Sequence, residues 1–600
     1  MIMTDAEEIV RWTENLNGGK QYLKDFASPQ NWGIYRNYYR NEFSSGSKGQ
    51  RKYSNALIFS ILRSMLPQIY FTNPQVVVTN EVPGYYLQSK IVQKIDNKLI
   101  RTTKLKRTMK ELILEAGLCG TCPLLTGFDT AYGYDPRFKE TIFDDKTGEE
   151  VQIGGTLLQF NEETGDKLEY NEMIKPGKPW ADKIRPEFFI VPYGYDRLHK
   201  VPWEMRMYVR HIDDVKADPR LVNNKDIKPN AITSFDWFKE KKLHQMMPKQ
   251  NFGDFVFLWE IRDLKSGRMI IMQEGHKKLL YNEKDELQKF GNPYMELTFN
   301  YDPLYFWGLP DAKYLEDQQL AINEIRTIHM EHRRIAKKKF MYDMNKVDEN
   351  EVDKVIHEDT GAGIKVDGPP ADAIKDFQPY VPPDFNIDVD AVRKDAREAA
   401  GFSRNQVGEF EGGRRTATES QIVNMASQIR VSERKDMVAD LLVDVIEKYN
   451  QYIFSEWNVK QVEDIVGPDG VRYWVQFSYK DIDSKYGFRV DPESGMPTST
   501  EQRKADALSV AQYIQNSPLV QMGLQAQAQA QQTGQQAPQL PYNLEALDRW
   551  VLGQFEGINI EEIMPLRAGQ GGNPEQPITL PALQDKMNKL RQGGEEGAAV

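Results

Sequence analysis

Cys119-Gly120-Thr121-Cys122 has the spacing of a thiol redox pair or of half a zinc site. No second Cys-x-x-Cys and no paired histidine stands nearby, so the spacing alone carries neither chemistry. Gly117, Gly120 and the following Pro123-Leu124-Leu125 instead predict a helix-to-strand turn holding two small buried thiols. His329 and His332 fall at i, i+3 on a predicted helix, a spacing that can hold a metal. Arg333, Arg334 and Lys337 beside them oppose a divalent cation, so the pair reads better as surface or packing histidines. Lys337-Lys338-Lys339 ends the same helix, where cations suit the helix dipole; the triplet could equally face phosphates. Lys90, Lys94, Lys98 and Arg101 recur three or four apart on a helix predicted from Leu87 to Glu115. That face is a polyanion surface in the functional reading and a solvated helix face in the preferred one.

The motifs of common enzymes are missing. Gly19-Lys20 is followed by Gln21 and Gly177-Lys178 by Pro179, so no phosphate-binding G-x-x-x-x-G-K-[ST] loop forms. No H-E-x-x-H and no G-x-S-x-G occurs. The 88 Asp and Glu residues are many, but no spacing singles out a two-metal nuclease. The chain is therefore read as a non-enzyme with no catalytic residue, no cofactor and no metal.

A length of 600 residues implies three or four compact units. The net charge of -11 argues against a general nucleic-acid coat protein, while leaving room for local basic patches or for a channel that must not stick to DNA. Two cysteines give no disulfide framework and fit a reducing cytosol. The acidic Met1-to-Glu8 start does not read as a signal peptide. The richest apolar stretch, Ala56 to Phe71, is broken by Arg63 and Pro67, so no membrane span is expected.

The elements that position these residues follow from periodicity. Trp32, Tyr35 and Tyr39 share helical spacing and predict a packing face. Residues 73–79 read as turn then strand, and 125–300 as β-rich, with a hairpin turning at Lys265-Ser266-Gly267. Residues 143–174 read as an exposed excursion, and 212–250 as a short helix and a loop. Later come a strand at 471–477, a helix at 499–517, a Gln/Ala tract at 522–539 and an amphipathic helix at 541–555. From about Ala568 the chain is rich in Gly, Pro and Gln, and its end, Gly593 to Val600, reads as disordered.

The stretch from Tyr301 to Asn450 organises the rest. Asp302 to Pro310 is an aromatic turn. A helix is predicted from Asp311 to Lys339, with a narrow apolar stripe of Leu315, Ile322, Ile325, Ile328 and Ile335. Such a stripe suits packing against identical neighbours better than a globular core. An insert with two Pro pairs follows, then a helix from about Ile387 to Ala400 and a glycine-rich segment from Gly401 to Arg415. Thr416-Ala417-Thr418-Glu419 is a capping box that opens a helix of more than 30 residues. Within it, Arg430 to Asp436 interrupts the apolar positions with charge, a plausible bend or exposed centre.

This order resembles the portal (head-to-tail connector) proteins of tailed bacteriophages. The residues that carry it are the Pro303-to-Pro310 turn before the first helix and Gly408 to Thr418 before the long one, where Arg415-Thr416-Ala417-Thr418-Glu419 is similar to the family's helix entry. The resemblance implies an α+β ring subunit: wing at 1–310, stem helix at 311–339, clip at 340–385, second stem helix at 386–400 and tunnel loop at 401–415. It further implies a long wing helix with return strands at 416–498, a crown at 499–555 and a disordered tail at 556–600. It implies a homo-oligomeric ring of about twelve copies at one capsid vertex, in the virion and, during assembly, in the host cytoplasm. Double-stranded DNA would pass through without sequence-specific contact. The terminase large subunit would dock first and adaptor or neck proteins later, with the major capsid and scaffold proteins as further partners. Arg404, Arg414, Arg415, Lys337, Lys338 and Lys339 become candidates for contact with that DNA, and Gly401, Gly408, Gly412 and Gly413 hinges of the tunnel loop. The alternatives are another virion, scaffold or ejection protein and, less favoured, a DNA-processing enzyme.

Overall fold

Helical and strand periodicities both recur along the chain, and the fold is α+β, with helices and several antiparallel sheets. A computed structural model describes residues 5–30, 32–43, 53–70, 75–80, 86–129, 152–153, 156–157, 178–218, 220–230, 254–336, 340–357, 363–376, 385–401, 417–456, 461–466, 472–477, 482, 486–491, 500–518, 520–523, 525–526, 547–548, 551–552 and 578–596.

Helices Asp5–Gln30, Trp32–Tyr39 and Leu57–Ile69 open the chain. Trp12, Trp32 and Tyr35 are fully buried, and Trp32 meets the edge of Trp307 with ring centroids 5.6 Å apart. The aromatic spacing is thus a packing face, and it receives the 302–310 turn. Phe306 N donates to the Tyr22 hydroxyl at 2.8 Å, and Gly308 N to Thr121 Oγ1 at 2.7 Å. A Cβ on Gly308 would lie 2.4 Å from Thr298 and 2.6 Å from the Asn300 carbonyl, so only glycine admits this approach.

The helix expected from Leu87 to Glu115 is two helices, Tyr86–Thr102 and Leu105–Cys119. Between them Lys104 takes φ 57°. Thr102 and Thr103 stand at the break, where their hydroxyls donate to the carbonyls of Lys98 and Leu99 at 3.1 and 2.8 Å. The break lets both apolar stripes reach one core, with Leu87, Ile91, Ile95 and Leu99 joined by Leu105, Met109, Leu112 and Ile113. Lys104 is exposed, and among the described residues its side chain makes no hydrogen bond that offsets the cost of a left-handed backbone. Lys104→Gly is expected to stabilise the fold by about 1 kcal/mol; an unchanged urea midpoint would contradict this. The Cys119 and Cys122 thiols are buried and unbridged at the predicted turn, and burial pushes both well above the usual thiol range.

A five-stranded antiparallel sheet runs Tyr281–Lys284, Arg268–Gln273, Phe255–Asp263, Trp203–His211, Phe189–Ile190. The predicted hairpin lies at its centre, with Gly267 at φ 71°. A three-stranded sheet runs Tyr294–Thr298, Thr121–Asp129, Lys178–Lys183. Buried polar groups cluster on the five-stranded sheet, and the Tyr294 hydroxyl joins it to the three-stranded one by donating to Glu260 at 3.3 Å. Arg262 binds Asp285 and Glu260, Arg206 binds Glu260 at 2.7 Å, and Asn292 donates to Glu204 at 3.0 Å. Three carboxyls face two guanidinium groups here. Burial, with Asp285 and Glu260 adding repulsion, pushes Glu204 up to about 8 against the Asn292 hydrogen bond and Arg262. A neutral Glu204 balances the network.

The end of the chain returns to its start, and one expectation there changes. Gln75–Asn80 pairs antiparallel with Tyr486–Asp491, which returns the chain to the first unit. The tail expected to be disordered contains the strand Ile578–Thr579, parallel to Arg472–Phe477, and the helix Leu580–Glu596. Leu580, Leu583 and Met587 are buried in the main core, and Gln88 donates to Gln584 at 3.1 Å. Gly, Pro and Gln dominate the composition before this helix and obscured its short apolar repeat. A helix at Thr500–Gln515 agrees with expectation. Of the 541–555 helix, only 547–548 and 551–552 are described, and they are helical. Most of the excursion at 143–174, the loop at 231–250 and most of the Gln/Ala tract lie outside the described residues.

Candidate functional site

The helix expected at 311–339 is Asp311–Tyr314 followed by Glu316–Ala336. Leu315 and Ile322 are buried, Ile325 is half-buried and Ile328 is 38% exposed. Leu320 and Met330 add 43% and 41% exposure. The apolar row therefore begins in the core and ends in the open, as it would on a helix leaving the body for a partner. The strands Phe340–Tyr342 and Ile374–Asp376 pair antiparallel beyond it. Between them Val347, Val352 and Ala373 form a small separate core with Glu349–His357. Helix Phe385–Ala400 then returns against Glu316–Ala336.

Two sets of contacts hold this pair of helices to the body. The polar side of Glu316–Ala336 is not simply solvated. Gln319 Oε1 accepts from Ile58 N at 3.1 Å, Asn323 Oδ1 from Asn55 N at 2.7 Å and Thr327 Oγ1 from Tyr53 N at 2.9 Å. These i, i+4, i+8 side chains satisfy backbone donors where the chain enters Leu57–Ile69, whose N-terminus has no side-chain cap of its own. The second set centres on Asp311. Arg434 grips its carboxylate with both nitrogens at 2.7 and 2.8 Å, and Asn300 Nδ2 donates to it at 2.9 Å. The Arg434 guanidinium also lies 5.1 Å from the centre of the Phe299 ring. Arg434 belongs to the long helix Ala417–Glu456.

The charged interruption at 430–436 is therefore neither a bend nor wholly exposed. Helix Ala417–Glu456 runs through it, Lys435 is buried, and Arg434 clamps the start of the outgoing helix at Asp311. A cleft of about 330 Å³ opens beside the clamp, lined by Phe299, Tyr314, Ala400, Val431 and Met437. Three elements meet there: the start of the outgoing helix, the end of the returning one, and the middle of the long one. The clamp ties these three elements together mechanically.

Gly401 ends Phe385–Ala400 at φ 75°, with its N–H donating to the Glu398 carbonyl at 3.1 Å. It serves as a helix stop in the left-handed region. Lys337, Lys338, Lys339, Arg404, Arg414, Arg415, Gly408, Gly412, Gly413 and the Thr416 cap lie outside the described residues. His329 and His332 are half-buried on Glu316–Ala336. Among the described residues, no three His, Cys, Asp or Glu side chains converge to hold a metal ion, and no helix is long and apolar enough to cross a membrane. The Arg434 clamp had a readable signal, the charge inside an apolar repeat. The Gln319, Asn323 and Thr327 ladder had only its spacing. No protein-family model and no curated protein matches this chain.

Proposed function

We propose that this chain is the subunit of a viral portal: a ring through which double-stranded DNA enters and leaves a capsid, without catalysis of its own. The observation that supports the reading most is the path from Asp311 to Glu456. Two helices lie against each other, bracket a small unit with its own core, and hand the chain through Gly401 to a 40-residue helix clamped back onto the first. Each part suits one task. The outgoing apolar row, exposed at Leu320, Ile328 and Met330, suits contact with identical neighbours. The small unit at 340–376 suits docking of the packaging motor and then of an adaptor, since its core is separate from the main one. The cations Arg404, Arg414 and Arg415 suit transient, sequence-independent phosphate contact.

Purified protein is expected to show rings with a central hole in negative-stain images. A strict monomer at high concentration would overturn the reading. Arg414→Ala with Arg415→Ala is expected to leave the rings intact and impair DNA packaging or retention. Failure of ring assembly in that variant would make the segment a subunit contact instead.

A further inference from the structure

The long helix carries a face that nothing among the described residues covers. Glu433, Asp436, Asp440, Asp444 and Glu447 recur at intervals of three and four, and all five are exposed. None of them makes an ion pair among the described residues. At the helical rise they span about 21 Å along one side. Like charges at i, i+4 weaken a helix, and the tension is visible: burial and Asp440 push the Asp444 carboxyl up, and burial and Asp444 do the same to Glu447. Lys448 relieves Asp444 and Glu447 only in part, since its ammonium is turned to the Phe290 carbonyl.

The complementary surface is on the same chain. Lys90, Lys94, Lys98 and Arg101 line one side of Tyr86–Thr102 over about 16 Å. Lys98 and Arg101 are exposed, and Lys90 and Lys94 half-buried. The two helices touch through buried groups, with Asn450 donating to Asp96 at 3.0 Å, so neither stripe serves that contact. Each stripe also has apolar surface near it. Tyr86 is 46% exposed beside Lys90. Tyr301 is 50% exposed and shares a cleft with Asp440 and Asp444, and neighbouring Leu304 is 82% exposed.

We propose that the acidic stripe 433–447 of one copy docks on the basic stripe 90–101 of the next. This deepens the ring reading and rests on it. The patches differ, so the contact is heterologous, the type that propagates from copy to copy until it closes. Opposite potentials set partner choice and register, and the aromatic and leucine side chains supply apolar burial. A second copy is favoured over a nucleic acid as the occupant of the basic stripe, because the chain provides a matching anionic row and its net charge of -11 repels a polyanion.

The test is sedimentation of the full chain at low salt, with circular dichroism melting to check folding. Asp436→Lys with Asp440→Lys, and separately Lys98→Glu with Arg101→Glu, are each expected to weaken self-association roughly 100-fold. The variant with all four changes is expected to regain it. An equimolar mixture of the two double variants is expected to regain assembly as well, with the two variants alternating, because each reversed stripe then meets a complementary one. Should Asp436→Lys with Asp440→Lys fail to fold, Asp436→Asn with Asp440→Asn is expected to show a smaller loss in the same direction. Rings that form normally in both double variants would overturn this contact and leave the ring reading standing. A wild-type chain that stays monomeric would overturn both. Binding of a DNA duplex that Lys98→Glu with Arg101→Glu abolishes, with self-association intact, would reassign the basic stripe to a polyanion and overturn the contact.

Discussion

Arg434→Ala is expected to lower the unfolding free energy by about 3 kcal/mol. The pair it breaks is mostly buried, with the Arg434 and Asp311 side chains 17% and 13% exposed. Its two parallel hydrogen bonds hold one geometry, so little water competes for them. Loss of the guanidinium leaves the Asp311 carboxylate with Asn300 as its described partner, and removes the cation from the Phe299 ring. Arg434→Met keeps much of the side-chain volume, and combining it with Asp311→Asn removes the stranded charge as well. That double variant is expected to recover more than half of the loss, because an apolar replacement of a buried pair costs less than half of a pair left behind. Urea unfolding measures both. A loss under about 1 kcal/mol for Arg434→Ala would mean that the clamp is ornamental. Amide exchange is expected to rise first in Asp311–Tyr314, since that turn lies between the clamp and the interruption at Leu315.

Glu204→Gln is expected to change how stability depends on pH. The folded protein holds Glu204 protonated up to about 8, whereas an unfolded chain releases that proton near the usual carboxylate value. Between those values the native state binds more protons, so stability falls as pH rises. The contribution is fully present at acid pH and lost by about 8. Glutamine stays neutral throughout and can still accept the hydrogen bond from Asn292. The variant is therefore expected to lose this part of the slope and to gain roughly 3 kcal/mol relative to wild type between pH 5 and pH 8. Glu296, which burial pushes up to about 7, contributes to the same fall in both proteins. The informative quantity is thus the difference between the two slopes. Parallel curves would show that Glu204 ionises freely and that the network does not need its proton.

The legible parts were those governed by local pattern. The strands at 203–211, 255–263 and 268–273 each carry their own alternation and turn residues. The paired helices Glu316–Ala336 and Phe385–Ala400, the insert between them and the long helix were visible because each is bounded by Pro, Gly or a cap. The break at Lys104 was not, because the threonines before it are acceptable in a helix, and only the need to bury two stripes in one core selects the kink. The Ile578–Thr579 strand was invisible because two residues carry no periodicity, and their partner Val475 lies about a hundred residues earlier.

The amino-acid sequence by itself determined the fold class, the order of elements from 301 to 456 and the buried, unbridged state of Cys119 and Cys122. Those properties follow from residue types and spacings along the chain. Tertiary structure alone decided that Arg434 meets Asp311, that Gln319 and its neighbours serve the backbone of 53–58, and that Glu204 needs a proton. Each depends on groups brought together from distant positions and on removal of water from around them. No spacing encodes the second effect, because desolvation is a property of what packs on every side of a group and not of its neighbours in sequence.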